Sequence, residues 1–158
     1  MGNKDKNIKS RIVIVDEKDN VIGHKNRDDV EVEDIYRVSA LWIKNSKGDV
    51  LLARRALTKS HDPGKWGPAA AGTVEEGEDY GANIRKEAEE ELGLKGVTPQ
   101  VGPKERVSGE HNYFVQWYLV ESDKSEKEFV VNKDEIEEVK WFSRKELKQE
   151  IQVNPDKF

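Results

Sequence analysis

Short apolar runs separated by polar turns occur along the first third of the chain, and they predict β-hairpins. Residues 11–15 and 21–23 lie on either side of a charged turn, which indicates one hairpin. Residues 35–43 and 50–54 lie on either side of a turn that contains Gly48 and indicate a second hairpin. The apolar runs of the second hairpin are long enough to be central strands of a sheet.

The second half of the chain predicts further strands and loops. Residues 113–120 alternate between two sets of side chains, so we expect a strand with one face in the core. Residues 129–131 predict a brief strand, and residues 134–142 predict an acidic loop that enters a last strand. Residues 95–103 contain several Gly and Pro residues and predict a loop.

Two stretches predict helices. The first follows Glu78 and ends at Gly93, which allows about four turns at ~3.6 residues each. The second begins at Ser143, and Glu146 three residues later completes the pattern of a capping box. Ile151 belongs to the apolar face of this second helix. Strands with two helices predict an α/β fold.

The chain length of 158 residues is typical of a single domain. We therefore expect one domain over residues 1–158. Within it, residues 1–9 are polar and predicted to be disordered, and residues 11–34 are predicted to form a hairpin and a charged connector. This hairpin could serve as a dimer arm, so the chain is expected to be a monomer or a homodimer.

Charge and composition exclude some classes of function. The formal net charge of -5 argues against a protein that binds nucleic-acid polymers or membrane surfaces. The sequence has no cysteine, which excludes disulfides and thiol chemistry. No apolar segment resembles a signal peptide or a membrane span, so a cytoplasmic location is expected.

Three glutamates on the first predicted helix carry the candidate chemistry. Glu87, Glu90 and Glu91 are three and four residues apart, which places their carboxylates on one face near the C-terminal end of the helix. Negative charge is unfavourable at that end because of the helix dipole. A bound Mg²⁺ ion, or Mn²⁺ in its place, would offset this negative charge because both cations take oxygen ligands. The alternative is a solvated acidic surface.

Residues 72–94 resemble the signature of the Nudix hydrolases. That signature has a Gly, five residues, a Glu, seven residues, and then Arg-Glu-aliphatic-x-Glu-Glu-x-Gly-aliphatic. The matching positions are Gly72, Glu78, Glu87, Ala88, Glu90, Glu91, Gly93 and Leu94. Lys86 departs from the pattern because it stands where the family has Arg, so the charge is kept and the planar fork is lost.

This resemblance implies a fold and an activity. The fold is an α/β/α sandwich with a mixed, curved sheet, and the activity is Mg²⁺-dependent hydrolysis of a diphosphate linkage in a nucleoside diphosphate derivative or related small molecule. The implied metal ligands are Glu87, Glu90, Glu91 and the main-chain carbonyl of Ala71. The residues implied to support this site are Gly72, Glu78, Lys86 and Gly93, with Lys86 paired to Glu78.

A narrower resemblance links residues 54–66, together with the hairpin before them, to the Nudix branch that includes isopentenyl-diphosphate isomerase. By that match, Arg55 and Lys59 would bind the substrate's diphosphate. The isomerase's cysteine and histidine ligands are absent, because their places are taken by Ala71, Thr73 and Tyr36. Its later pair of glutamates is half present, as Glu110 with Asn112.

Several alternatives remain open at this level. The chain could bind a diphosphate ligand without cleaving it, or it could be an isomerase of an allylic diphosphate. In some Nudix proteins a glutamate from a later loop completes the site, and three candidates for this role are Glu135, Glu137 and Glu138. Trp66 or Phe114 could stack on a nucleobase.

Overall fold

A computed structural model describes residues 10–158, so the prediction of disorder for residues 1–9 lies outside the described residues. Nine strands in this part of the chain join into one sheet. They are β1 (Arg11–Val15), β2 (Val21–Asn26), β3 (Ile35–Lys44), β4 (Val50–Arg55), β5 (Trp66–Gly67), β6 (Ala70–Thr73), β7 (Gln100–Val107), β8 (Asn112–Glu121) and β9 (Ile136–Phe142). The two α-helices are α1 (Tyr80–Leu92) and α2 (Arg144–Val153).

Strand β3 is the centre of the sheet. It pairs antiparallel with β1, β4 and β6, and it pairs parallel with β8 over its full length, from Ile35 opposite Asn112 to Lys44 opposite Glu121. Strand β7 extends the sheet beyond β8, and β9 extends it beyond β4. The predicted α/β fold with a mixed, curved sheet is therefore confirmed.

Helix α1 packs against one face of the sheet. Leu41 and Ile43 of β3 are fully buried against Ile84 and Leu92 of α1. These positions follow the two-residue period of a strand and the three-to-four-residue period of a helix. Burial of such side chains contributes about 1.5–3 kcal/mol each to folding. The helix that carries the glutamates is thus held rigidly on the sheet.

The N-terminal hairpin is an integral part of this sheet. Strand β1 pairs with both β2 and β3, and Val13 and Val15 are buried in a second apolar cluster with Ile35, Val74 and Phe114. The hairpin therefore contributes to the domain's own core. Because Phe114 is 8% exposed within this cluster, the hypothesis that it stacks on a base is wrong.

Some element predictions were wrong. The loop predicted over residues 95–103 contains the start of β7, where an irregularity between Val101 and Lys104 accommodates a Gly and a Pro. An edge strand tolerates Pro there because one side makes no ladder hydrogen bonds. Residues 129–131 form no strand, and Phe129 instead packs into the core.

The second helix is a peripheral element. Ser143 caps α2 by accepting a hydrogen bond from the Glu146 N–H at 3.1 Å, as predicted. No side chain of α2 is buried, and Ile151 is 45% exposed, so the apolar face predicted for this helix does not form a core contact. Among residues 10–158, no helix is long and apolar enough to cross a membrane.

The turn of the N-terminal hairpin is anchored by Asp19. This residue has a positive φ of 63°, and its side chain is 9% exposed. Its carboxylate accepts hydrogen bonds from Arg37 Nε (2.7 Å), Tyr80 Oη (2.9 Å) and Lys104 Nζ (2.7 Å). One carboxylate therefore joins the hairpin to β3, α1 and β7.

We expect Asp19→Asn to lower the free energy of unfolding by about 2 kcal/mol at pH 7, because it removes the charge that two cations share. Burial alone would raise the pKa of Asp19, but the three donors hold this pKa below its ordinary value. The carboxylate's contribution is therefore full above the unfolded pKa of about 3.9, and it is lost as the pH falls through the lower folded value.

Urea denaturation at several pH values measures this effect. The difference between the native chain and Asp19→Asn should be largest near neutral pH and should shrink under acid conditions. Glu17→Gln is the matched control, since Glu17 is in the same turn with its side chain 73% exposed and its ion pair with Arg106 should contribute little to stability. Equal losses for both variants would contradict a specific role for Asp19.

Candidate active site

Strand β6, which leads into the loop before α1, approaches the helix closely at Gly72. A Cβ atom at this position would lie 2.6 Å from the Cγ, Cδ and Oε1 atoms of Glu87. No real Cβ atom makes such contacts, so a side chain at residue 72 would displace the Glu87 carboxylate. Gly72 pairs with Ser39 of β3, which fixes the loop from the other side. The glycine therefore gives Glu87 its place against the sheet.

Lys86 joins the loop to the helix. Its Nζ atom lies 2.8 Å from Glu78 Oε2, 3.4 Å from Glu75 Oε2 and 3.9 Å from Glu87 Oε1. Glu78 also accepts a hydrogen bond from the Glu75 N–H at 2.9 Å. Burial acts to raise the pKa of Glu78, but the hydrogen bond from Lys86 and those from its other donors bring this pKa below its ordinary value. A lysine thus makes the contact with Glu78 without an arginine's fork.

Asn83 is a second link between loop and helix. Its side chain is fully buried, and its Nδ2 atom donates to the Thr73 carbonyl and to Glu78 Oε1, both at 3.1 Å. Its Oδ1 atom accepts a hydrogen bond from Ser39 Oγ. Sequence reasoning did not single out Asn83, because a polar residue in a helix carries no signal of burial.

Gly93 ends the helix. It has a φ of 68°, the left-handed conformation that favours glycine at this position, and a Cβ there would lie 2.8 Å from Val130 Cβ. Its N–H bonds to the Glu89 carbonyl, which closes the last turn at the glutamates.

The three glutamates differ in exposure. Glu91 is 8% exposed, the Glu87 side chain is 17% exposed, and Glu90 is exposed. The Glu91 carboxyl lies beside the Glu87 carboxyl and beside the main chain of Ala71. Burial first, and then the charge of Glu87, raises the pKa of Glu91, and burial also raises the pKa of Glu87.

The donor chemistry of this cluster fits a divalent cation. Among residues 10–158, no three His, Asp or Glu side chains are gathered as a ready-made metal site, and Glu90 is exposed to solvent. Two adjacent buried carboxylates with raised pKa values are nevertheless groups that a hard cation would stabilise in the charged form. Ala71, the implied carbonyl ligand, lies beside Glu91.

The glutamates line a cleft that is also lined by basic side chains. The cleft has a volume of about 550 Å³, and Arg27, Arg55 and Lys59 line it together with Glu87, Glu90 and Glu91. Arg55 Nε donates to the His61 carbonyl at 2.8 Å, and Lys59 Nζ donates to Glu135 Oε2 at 2.6 Å. The structure thus brings the predicted cations and carboxylates together.

Arg27 is the cleft residue that sequence reasoning missed. It follows β2 in the short 3₁₀ turn Arg27–Asp29, and its guanidinium lies 3.3 Å from Glu75 Oε1. The charged connector that contains Arg27 has neither a helical nor a strand periodicity, so the sequence pattern did not distinguish this arginine from the other charged residues around it. The pairing of the N-terminal hairpin with β3 and with residues 74–76 carries this arginine to the cleft.

One of the three later glutamates lines the cleft. Glu135 is in the cleft wall, whereas Glu138 forms an ion pair with Arg54 at 2.8 Å. Neither Glu137 nor Glu138 is among the described residues of the cleft wall. The Asn132 N–H donates to the Glu91 carbonyl at 3.0 Å, so the loop that holds Glu135 is attached directly to α1.

Comparison with known proteins decides the family. The family model for the NUDIX domain matches residues 35–158. The chain belongs to the Nudix family. An uncharacterised Nudix hydrolase of Yersinia pestis is 33% identical over 142 residues, which cover 85% of this Nudix chain and 73% of that protein. Family and relative support hydrolase activity in general.

Two further matches are a solved structure, which bears on the fold, and a protein named as an isomerase, which bears on the branch of the Nudix family. The crystal structure of DR0079 from Deinococcus radiodurans matches with a TM-score of 0.76 and 28% identity, over 91% of this Nudix chain and 90% of that one. A Photorhabdus laumondii protein named isopentenyl-diphosphate Delta-isomerase 2 is 29% identical over 154 residues, which cover 92% of this chain and 84% of that protein. Ala71 and Thr73 line the cleft here and supply neither thiol nor imidazole.

Proposed function

We propose that this Nudix domain hydrolyses a diphosphate linkage in a nucleoside diphosphate derivative or related small molecule, with Mg²⁺ as its metal and Mn²⁺ as a possible substitute. One observation carries the proposal: the buried Glu87–Glu91 pair lines the same cleft as three cations. A metal-bound diphosphate needs carboxylates for the metal and cations for its oxygens. Nudix hydrolases generally use a divalent metal, typically Mg²⁺.

Four groups would hold the metal. They are the carboxylates of Glu87, Glu90 and Glu91 and the main-chain carbonyl of Ala71. When bound, Mg²⁺ offsets the charge of phosphate oxygens and lowers the pKa of water. Gly72, Asn83 and the Lys86–Glu78 pair keep the strand end and the helix at a fixed separation, so the carboxylates are positioned before the substrate arrives.

The cations would bind the phosphate that does not react. Arg55 and Lys59 come from the end of β4 and the loop after it, and Arg27 comes from the short turn after β2. In this structure Lys59 contacts Glu135 and Arg27 contacts Glu75, so a diphosphate would exchange these carboxylates for its own oxygens. Arginine suits this task because its guanidinium can make two parallel hydrogen bonds to a phosphate.

Glu135 is the proposed proton acceptor. Once a phosphate draws Lys59 away, the Glu135 carboxylate is free to accept a proton from the attacking water. Glu138 is unsuited to this role because Arg54 already engages it, at 2.8 Å.

The test is release of phosphate or nucleoside monophosphate from a panel of diphosphate compounds, with Mg²⁺ and with EDTA. Metal-dependent release establishes the hydrolase. A ligand that binds by calorimetry without being cleaved would favour the binding module instead. Direct assay of isopentenyl diphosphate conversion tests the isomerase, which we expect to be absent because the Ala71 and Thr73 positions lack its thiol and imidazole.

We expect Arg27→Ala to raise KM about tenfold with a smaller change in kcat, because it removes one charged contact to the diphosphate. Arg11→Ala is the matched control: Arg11 pairs with Glu76 at 2.6 Å on the same hairpin but does not line the cleft. Steady-state kinetics of both variants decides the matter. A KM for Arg27→Ala equal to that of the control would exclude Arg27 from phosphate binding.

A further inference from the structure

An aromatic pair lies next to the cleft and has no role in the chemistry above. Tyr36 of β3 and Tyr113 of β8 are directly opposite in the parallel ladder, and their rings stack with centroids 5.5 Å apart. Trp66, the other aromatic residue considered for base stacking, packs edge-on against Phe142 at 5.2 Å. The tyrosine pair is therefore the better-placed aromatic surface.

Tyr36 lines a second cavity of about 180 Å³. Two pairs of neighbouring residues place this cavity near the cleft. Tyr36 is two residues before Val38 of the cleft wall, which puts both side chains on the same face of β3, about 7 Å apart. His111 of the cavity contacts His61 of the cleft wall, with ring centroids 5.4 Å apart. A molecule bound by its phosphates in the cleft could therefore extend into the cavity.

The cavity lining combines flat apolar surface with hydrogen-bond acceptors. Val32 and Tyr36 provide the apolar part, and Glu31, Asp34 and Glu110 provide carboxylates. Asp34 is neutralised by Lys25 at 2.7 Å. Within residues 10–158, no hydrogen bond or ion pair engages the Glu110 side chain. The carboxylates of this lining repel further phosphates. An isoprenoid chain has no donor to bond with them, whereas a planar ring with N–H groups can both stack on the apolar part and donate to a carboxylate.

We propose that this cavity is a nucleobase subsite that prefers bases with an exocyclic amino group: adenine, guanine and cytosine. The base lies against Tyr36, and its amino group donates to Glu110. The inference rests on the proposed function only for the position of the phosphates in the cleft. It selects nucleoside diphosphate derivatives from the broader class of diphosphates.

Binding in EDTA tests the subsite without turnover. Calorimetry compares adenosine 5′-monophosphate with ribose 5-phosphate, and we expect the nucleotide to bind about tenfold more tightly, as is typical for one stacked base. Tyr36→Leu should remove that difference while leaving ribose 5-phosphate binding unchanged, and Tyr36→Phe should restore it. Cytidine monophosphate should bind more tightly than uridine monophosphate, and Glu110→Ala should equalise them.

The outcomes separate the subsite from the hydrolase. Equal affinities for nucleotide and ribose phosphate, or no binding of either at millimolar concentration, would overturn the subsite. If base-free ribose diphosphate is still hydrolysed with Mg²⁺ in that case, the proposed function stands alone. Base-dependent binding that Tyr36→Leu abolishes, without any metal-dependent hydrolysis of nucleoside diphosphates, would keep the subsite and overturn the hydrolase.

Discussion

Glu91→Gln is expected to lower kcat/KM about 10³-fold, a loss typical of removing one group that supports transition-state charge. The same change should raise the melting temperature in EDTA at neutral pH. The amide introduced by this substitution has nearly the same size and shape as the carboxyl, so the packing beside Glu87 and Ala71 survives. What disappears is the cost of burying this carboxyl: burial and the charge of Glu87 raise its pKa to about 9, so at neutral pH it must take up a proton on folding.

Steady-state kinetics and thermal denaturation with EDTA and with Mg²⁺ measure both effects. The native chain should be stabilised by Mg²⁺, whereas the variant should gain much less. Glu89→Gln is the matched control because Glu89 is an exposed residue of the same helix and does not line the cleft. Unchanged turnover in Glu91→Gln, or equal stabilisation of both chains by Mg²⁺, would remove Glu91 from the metal site.

Gly72→Ala is expected to lower kcat/KM about 100-fold with a change of less than about 1 kcal/mol in the free energy of unfolding. The new Cβ would occupy space 2.6 Å from three side-chain atoms of Glu87, so that side chain must move. A displaced ligand weakens catalysis steeply because the site depends on position. The fold should survive because Glu87 is a flexible side chain and Gly72 does not have a positive φ.

Gly67→Ala provides the control for this prediction. Gly67 lies in the short strand β5, and an added Cβ there meets no atom within 4 Å. Steady-state kinetics should therefore show a much lower kcat/KM for Gly72→Ala than for Gly67→Ala. Urea denaturation should show similar free energies of unfolding for the two variants. Full activity of Gly72→Ala would show that the Glu87 carboxylate can shift without consequence.

The sequence pattern predicts the local elements of this fold well. The two hairpins and helix α1 were predicted because each has apolar residues at its own period and a turn or cap residue at its end. Strand β7 was missed because Gly102 and Pro103 are typical of a loop. They fit into this strand only because its pairing with β8 is irregular there, and a local sequence pattern does not show which strand will be the partner. Strand β6 was missed for a similar reason, since four small residues pair with β3.

The site was predictable where it lies on one helix. Spacing alone put Glu87 and Glu91 on one face, whereas their difference in exposure from Glu90 depends on how α1 packs. The choice of Glu135 over Glu138 depends on the register of β9, which sets Glu138 opposite Arg54. Arg27 depends on the pairing of β1 with β3, a contact between distant parts of the chain.

The N-terminal hairpin has a consequence for where this domain can be cut. The family match begins at residue 35, after the hairpin and its connector. A fragment trimmed to that boundary would lose the buried side chains of Val13 and Val15 and uncover Val74 and Phe114. It would also carry the full glutamate signature but lack the arginine on one wall of the cleft. The packed core of this domain thus extends beyond the segment by which its family is recognised.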